Sequence, residues 1–154
     1  MEFAFNRLNR LMTPRKSIGG GQFMLRLLVI GAGGAIGTLA RYAVSGLDYK
    51  YSYGVFPIST LIVNLSGSLI IGLLWGLSDR FLVSPNMRLF IFIGILGGYT
   101  TFSTFSLESF NLLRDGEYRI ALMNILLSNT IAIALVFVGY FCSQALTGLL
   151  IKRG

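Results

Sequence analysis

The sequence predicts an all-α membrane protein of four transmembrane helices, with the third helix broken near Gly97–Thr101. Three observations predict it. Hydrophobic residues make up 54% of the 154 and charged residues only 12%, about half the charged share of an ordinary soluble domain. Four apolar runs reach or approach the roughly 20 residues needed to cross about 30 Å of hydrocarbon. One of those runs contains two adjacent glycines followed by β-branched and hydroxyl residues, which make a poor continuous helix.

The first run extends from Leu25 to about Leu47 and is interrupted only by Arg26 and Arg41. The second is free of charge from Tyr51 to Ser78, and Pro57 suits a first helical turn, so the helix is expected to begin there. The third is uncharged from Leu89 to Leu107 and the fourth from Ile120 to Ile151. The connections are short, which favours antiparallel neighbours and puts both termini on one side. Residues 24–154 are expected to form one four-helix transmembrane domain. Residues 1–23 carry Arg7, Arg10, Arg15, Lys16 and Gly19-Gly20-Gly21. They have no long apolar core, and their composition reads as a disordered or surface-bound extension rather than a secretory signal. Met24 is an alternative first residue.

The net charge of +7 lies mainly in that arm and between the apolar runs. Its placement suits anionic headgroups rather than nucleic acid. Nine Lys and Arg fall on the side of the termini and three, Lys50, Arg114 and Arg119, on the other. That bias places the termini in the cytoplasm of a multi-pass cell-membrane protein. A start at Met24 leaves five against three. With no histidine and one cysteine, Cys142, the chain holds no Cys/His zinc site, no intrachain disulfide and no triad that needs His. Paired carboxylates and an activated nucleophile are also missing, so an enzyme is not expected.

Polar residues inside spans carry the functional information, because each is costly in lipid unless partnered. Thr60, Asn64 and Ser68 recur every four residues and share a face of the second helix; Asn124 and Ser128 do the same on the fourth. Two such stripes would form either interhelical hydrogen bonds or a neutral, donor-rich track. Gly33, Gly37 and Arg41 repeat the spacing on the first helix. Small residues there allow close helix approach, and Arg41 is either a snorkelling residue or a lure for an anion. The run Gly31-Ala32-Gly33-Gly34-Ala35-Ile36 departs from a dinucleotide-binding turn at Ile36, and the next acidic residue, Asp48, comes too early.

The third span reads Gly94-Ile95-Leu96-Gly97-Gly98-Tyr99-Thr100-Thr101-Phe102-Ser103-Thr104-Phe105-Ser106. Non-helical backbone at this depth survives only when buried in protein or around a cavity or ion. The carbonyls it frees are hard oxygen ligands suited to an alkali or alkaline-earth cation. Phe102 and Phe105 share a face, and the electropositive edge of a ring stabilises a small anion without holding it as a full charge would.

These residues resemble the Fluc (CrcB) family of fluoride channels over about residues 24–150. The resemblance lies in Gly33-Gly34-Ala35-Ile36-Gly37 with Arg41-Tyr42, in Asn64-Leu65-Ser66-Gly67-Ser68 with Gly72, and in Gly97-Gly98-Tyr99-Thr100-Thr101-Phe102-Ser103-Thr104-Phe105. It implies an antiparallel homodimer with two fluoride pores and a structural sodium ion on the dimer axis. The sodium would be held by the carbonyls of Gly97 and Thr100. The implied fluoride pathway falls on Asn64, Phe102 and Phe105, on Asn124 and Ser128, and on Arg41 near the entrance; Thr60 and Ser103 add hydroxyl donors. Asn124 stands where the family often has Tyr. An antiparallel homodimer needs dual topology, which the basic arm opposes; either the arm is not present in the mature chain, or an oppositely oriented homologue supplies the second subunit. The competing readings are a proton-coupled fluoride or small multidrug transporter, with Glu108 as the acidic candidate near a span, and a non-transporting membrane assembly subunit.

Overall fold

The computed structural model describes residues 19–51, 56–79 and 81–151. It is all-helical over these residues. Helix α1 spans Gly20–Tyr51, α2 Ile58–Ser78, α3 Pro85–Arg88, α4 Gly97–Tyr99, α5 Phe102–Arg114 and α6 Tyr118–Ile151. A π-helical stretch, Leu89–Leu96, joins α3 to α4. Four segments are long and apolar enough to cross a membrane: Gly20–Gly46, Ile58–Ser78, Pro85–Arg114 and Tyr118–Leu149. The first begins before the Met24 boundary drawn from composition, because Gln22 and Phe23 already donate backbone N–H groups to the Gly19 carbonyl. The rest of the predicted basic extension, residues 1–18, lies outside the described residues.

Local chemistry sets the ends. Pro57 immediately precedes α2, as expected for a residue without a backbone N–H. Ser84 caps α3 by accepting from Met87 N at 3.3 Å, and Pro85 occupies the first helical position. Arg88 Nη2 reaches back to the Ser78 carbonyl at 3.3 Å and ties the start of the third span to the end of α2. Helix α5 ends on Gly116, whose φ of +83° is open to glycine without strain. The Gly116 and Glu117 N–H groups close on the carbonyls of Leu113 and Leu112 at 3.2 and 2.9 Å, a Schellman closure. This turn folds α6 back along α5.

Packing relies on close backbone approach. Helix α1 lies against the π-helical stretch and α4, where Gly33 and Gly37 meet Gly94 and the backbone of Ile95. Helix α2 lies against α6, where a side chain at Gly72 would collide with the Val136 carbonyl and one at Gly139 with that of Leu69. Lipid is as apolar as leucine, so burying apolar side chains gives little drive for helices to associate. The buried set reflects this. Val63, Leu96, Phe105, Leu112 and Ala121 are the buried hydrophobic residues among those described. They are outnumbered by buried Ser59, Thr60, Thr101, Ser109, Asn124, Ser128, Ser143 and Thr147. Large side chains such as Leu39, Ile93 and Phe137 face outward.

The third span breaks where the sequence places it, but at its C-terminal edge. Gly97 to Tyr99 remain helical, and two residues are extended: Thr100 at φ −77°, ψ 155° and Thr101 at φ −148°, ψ 122°. The chain then re-enters helix at Phe102.

Candidate ion pathway

Extended backbone inside a membrane must find partners other than water. Asn64 on α2 supplies them. Thr101 N donates to Asn64 Oδ1 at 2.9 Å, and Asn64 Nδ2 donates to the Thr101 carbonyl at 2.9 Å. One carboxamide thus satisfies both peptide groups of the extended residue. Thr101 also caps α5, its Oγ1 accepting from Thr104 N at 3.3 Å and lying 2.9 Å from Thr104 Oγ1. On the α4 side, Thr100 N and Thr100 Oγ1 both donate to the Leu96 carbonyl, at 3.0 and 2.9 Å. Tyr99 Oη and Ser66 Oγ lie 2.9 Å apart, a second bridge from the break to α2.

The break borders a groove of about 380 Å³ between α2, the third span and α6. Asn64, Gly67, Ser68, Gly97, Thr100, Thr101, Phe102, Phe105, Ser128 and Asn129 contribute to its lining, with Ile71, Phe92, Leu96, Ala132 and Ile133. None of these residues carries a formal charge. Phe105 is buried at 6% exposure while Phe102 is 74% exposed, so the two rings mark the inner and outer edges of the groove. Their centroids are 5.4 Å apart with planes tilted by 49°. The sequence-predicted residues Asn64, Gly97, Thr100, Phe102, Phe105 and Ser128 therefore meet at one place.

The remaining predicted residues lie around it. Asn124, 1% exposed, sits behind the wall. Its Nδ2 donates to Ser109 Oγ at 3.0 Å, its Oδ1 accepts from Ser128 Oγ at 3.3 Å, and Ser109 Oγ donates to the Phe105 carbonyl at 2.8 Å. This chain of bonds locks α6 to α5. Thr60 Oγ1 donates to Glu108 Oε1 at 2.7 Å across from α2 to α5. Thr60 and half-buried Arg41 line a second cavity of about 220 Å³ with Thr38, Tyr42, Ser45, Val63, Thr101 and Thr104. Thr101 belongs to both cavities, so the broken segment is the partition between them. Ser103 is exposed, and its Oγ lies 3.4 Å from Thr101 Oγ1. Ser109 and Asn129 were not singled out from sequence, and Thr101 only as the end of the break. The spacing of Thr101, Phe105 and Ser109, four apart, was a usable signal; Asn129 falls off the four-residue stripe of its own helix.

The break also frees carbonyl oxygens. In a continuous helix Thr101 N would bond to the Gly97 carbonyl and Thr104 N to that of Thr100. Here Thr101 N turns to Asn64 and Thr104 N to the Thr101 hydroxyl. The Gly97 and Thr100 oxygens thus lose their usual donors and fit the neutral oxygen donor set of an alkali cation. Among the described residues no group of His, Cys, Asp or Glu could hold a metal ion instead.

Four helices long and apolar enough to cross a membrane, with an uncharged polar groove at the interruption of one of them, define a multi-pass membrane protein. The sequence matches the family described as CrcB-like protein, Camphor Resistance (CrcB), over residues 28–140, and the chain belongs to that family. Curated relatives bear the name "Fluoride-specific ion channel FluC". That of Thermococcus kodakarensis is 48% identical over 118 residues, covering 76% of this chain and 94% of the relative. That of Pyrococcus abyssi is 46% identical over 119 residues, 77% and 94% of the two chains. That of Desulfotalea psychrophila is 42% identical over 121 residues, 79% and 94%.

Proposed function

We propose that the protein is a fluoride-selective channel that lowers cytoplasmic fluoride by passive export. Beside the family membership, one observation carries this reading. The groove at the helix break is lined by amide and hydroxyl groups and two phenyl rings, with no charged residue in its lining. Fluoride is small and strongly hydrated, so a pore must replace its lost water with hydrogen donors. A fixed cation would hold the anion too tightly for rapid release. Asn64 keeps a second N–H beyond the one given to Thr101, Ser103 offers an exposed hydroxyl, and Phe102 and Phe105 offer ring edges. Arg41, in the adjoining cavity, draws the anion toward the partition. Thr60, Asn124 and Ser128 hold the polar frame.

The exposure of Phe102 leaves one side of the groove without a wall. A second, antiparallel copy closes it in our reading and gives the dimer two pores. At the axis the Gly97 and Thr100 carbonyls would hold a sodium ion, whose charge ties the two broken spans together. The test is efflux from proteoliposomes. Fluoride release without chloride release is expected, with loss in Phe102→Ile. Vesicles no leakier to fluoride than bare lipid would refute the reading. The Glu108–Thr60 bond, which places an ionisable group within the third span, favours proton-coupled transport as the second reading. Fluoride movement driven by a pH gradient in fixed stoichiometry would select it.

A further inference from the structure

We propose that Asn129 is a second carboxamide of the ion path, donating from α6 into the groove. The inference deepens the fluoride-channel reading and rests on it. Ser128 has one O–H and gives it to Asn124 Oδ1, so its oxygen turns lone pairs, not a proton, toward anything in the groove. Asn124 spends one N–H on Ser109 and its oxygen on Ser128, and at 1% exposure it does not line the groove. The polar stripe of the fourth helix is thus an internal lock, and the face α6 turns to an anion would lack a donor.

Asn129 supplies one. It borders the same groove as Asn64, Phe102 and Phe105. It is exposed, and it lies eleven residues beyond Tyr118, about 16 Å along the helix and well inside the hydrocarbon span. Its Nδ2 donates once, to the Ile125 carbonyl at 2.7 Å. A carboxamide has two N–H donors and an accepting oxygen, so a second N–H and Oδ1 take no partner among the described residues. Left facing lipid, such a group is costly. Facing a groove with a desolvated anion in it, the same N–H makes a charge-assisted hydrogen bond. Held at its other N–H by the helix carbonyl, it shares the groove with Asn64, which is likewise held at one N–H by Thr101. The groove therefore carries two amide donors of the same design, one from α2 and one from α6, with the phenylalanine pair beside them.

The experiment uses the full chain in proteoliposomes, with fluoride and chloride efflux measured for wild type, Asn129→Leu and Asn129→Gln. Elution on size exclusion is recorded for each. Asn129→Leu is expected to cut fluoride flux by about ten-fold or more, the scale of one hydrogen bond to a charged group. Its elution should be unchanged and its fluoride-to-chloride ratio lowered. Asn129→Gln, which keeps both N–H donors of the carboxamide, is expected to recover most of the flux. Fluoride flux in Asn129→Leu within about two-fold of wild type would overturn the proposal while leaving the channel reading intact. So would loss of the assembled species in both variants, which marks a packing role. A wild-type protein that releases no fluoride would remove the reading beneath it and the proposal with it.

Discussion

Replacing Asn64 with leucine, a side chain of similar shape, removes both hydrogen bonds to Thr101, each 2.9 Å long, without opening a large void. Thr101 is 8% exposed, so water does not replace them. Its carbonyl, at the N-cap of α5, still accepts a helical bond. Its N–H is left without a partner. An orphaned buried N–H together with one lost hydrogen bond amounts to about 2–4 kcal/mol, or between about one and three orders of magnitude in the folded-to-unfolded ratio. The measurement is denaturant unfolding of the purified protein in mixed micelles, paired with hydrogen exchange at the Thr101 amide. Asn64→Leu should unfold at lower denaturant and lose protection at Thr101, while Asn64→Asp, which retains the acceptor for Thr101 N, should keep part of that protection. If Asn64→Leu unfolds within about 0.5 kcal/mol of wild type and Thr101 stays protected, the amide clamp is not what holds the break.

Two further outcomes follow from packing and from the freed carbonyls. Gly139→Leu drives a side chain into the Leu69 carbonyl, and is expected to yield polydisperse protein on size exclusion, a loss of about 1–3 kcal/mol or more. Gly148→Ala, with no neighbour within 4 Å of the added carbon, should elute as wild type. Exchanging sodium for a bulky organic cation should lower the melting temperature if the Gly97 and Thr100 oxygens hold an alkali ion. Unchanged melting across that exchange would rule the ion out as a structural component.

Much of the fold was legible because lipid simplifies the reading. Pro57 and the charges at Asp79, Arg88 and Glu108 marked the second and third spans by chemistry local to the chain, although the third continues past Glu108 to Arg114. The break was legible as a weakness around Gly97 and Gly98, but its location was not. Both glycines stay helical, Gly98 packing on Gly34 of α1, and the chain leaves the helix at Thr100 and Thr101, where Asn64, 37 residues before Thr101, receives its released peptide groups. No local propensity records such a partner. The same limit applies to the stripe of Asn124 and Ser128. Spacing correctly put them on one face, yet a face seen in sequence points equally to a groove or to a neighbouring helix, and Ser109 decides the matter for Asn124. Glu108, seen in sequence as an acid near a span end, is joined to Thr60 by a contact that spacing cannot show.

The π-helical stretch ahead of the break has a consequence for how this span tolerates change in length. A π-turn closes i→i+5 and so accommodates one residue more than an α-turn. Leu89–Leu96 therefore stores surplus chain in a segment braced on both sides, by α1 along its length and by the Arg88 tether at its start. Removing a residue there would let the coil tighten into an ordinary helix and leave Thr100 and Thr101 where they are. The same deletion placed after the break would swing every following side chain by about 100° and turn the phenylalanine pair away from the groove. The span thus has a forgiving half and an unforgiving one, and the two threonines divide them.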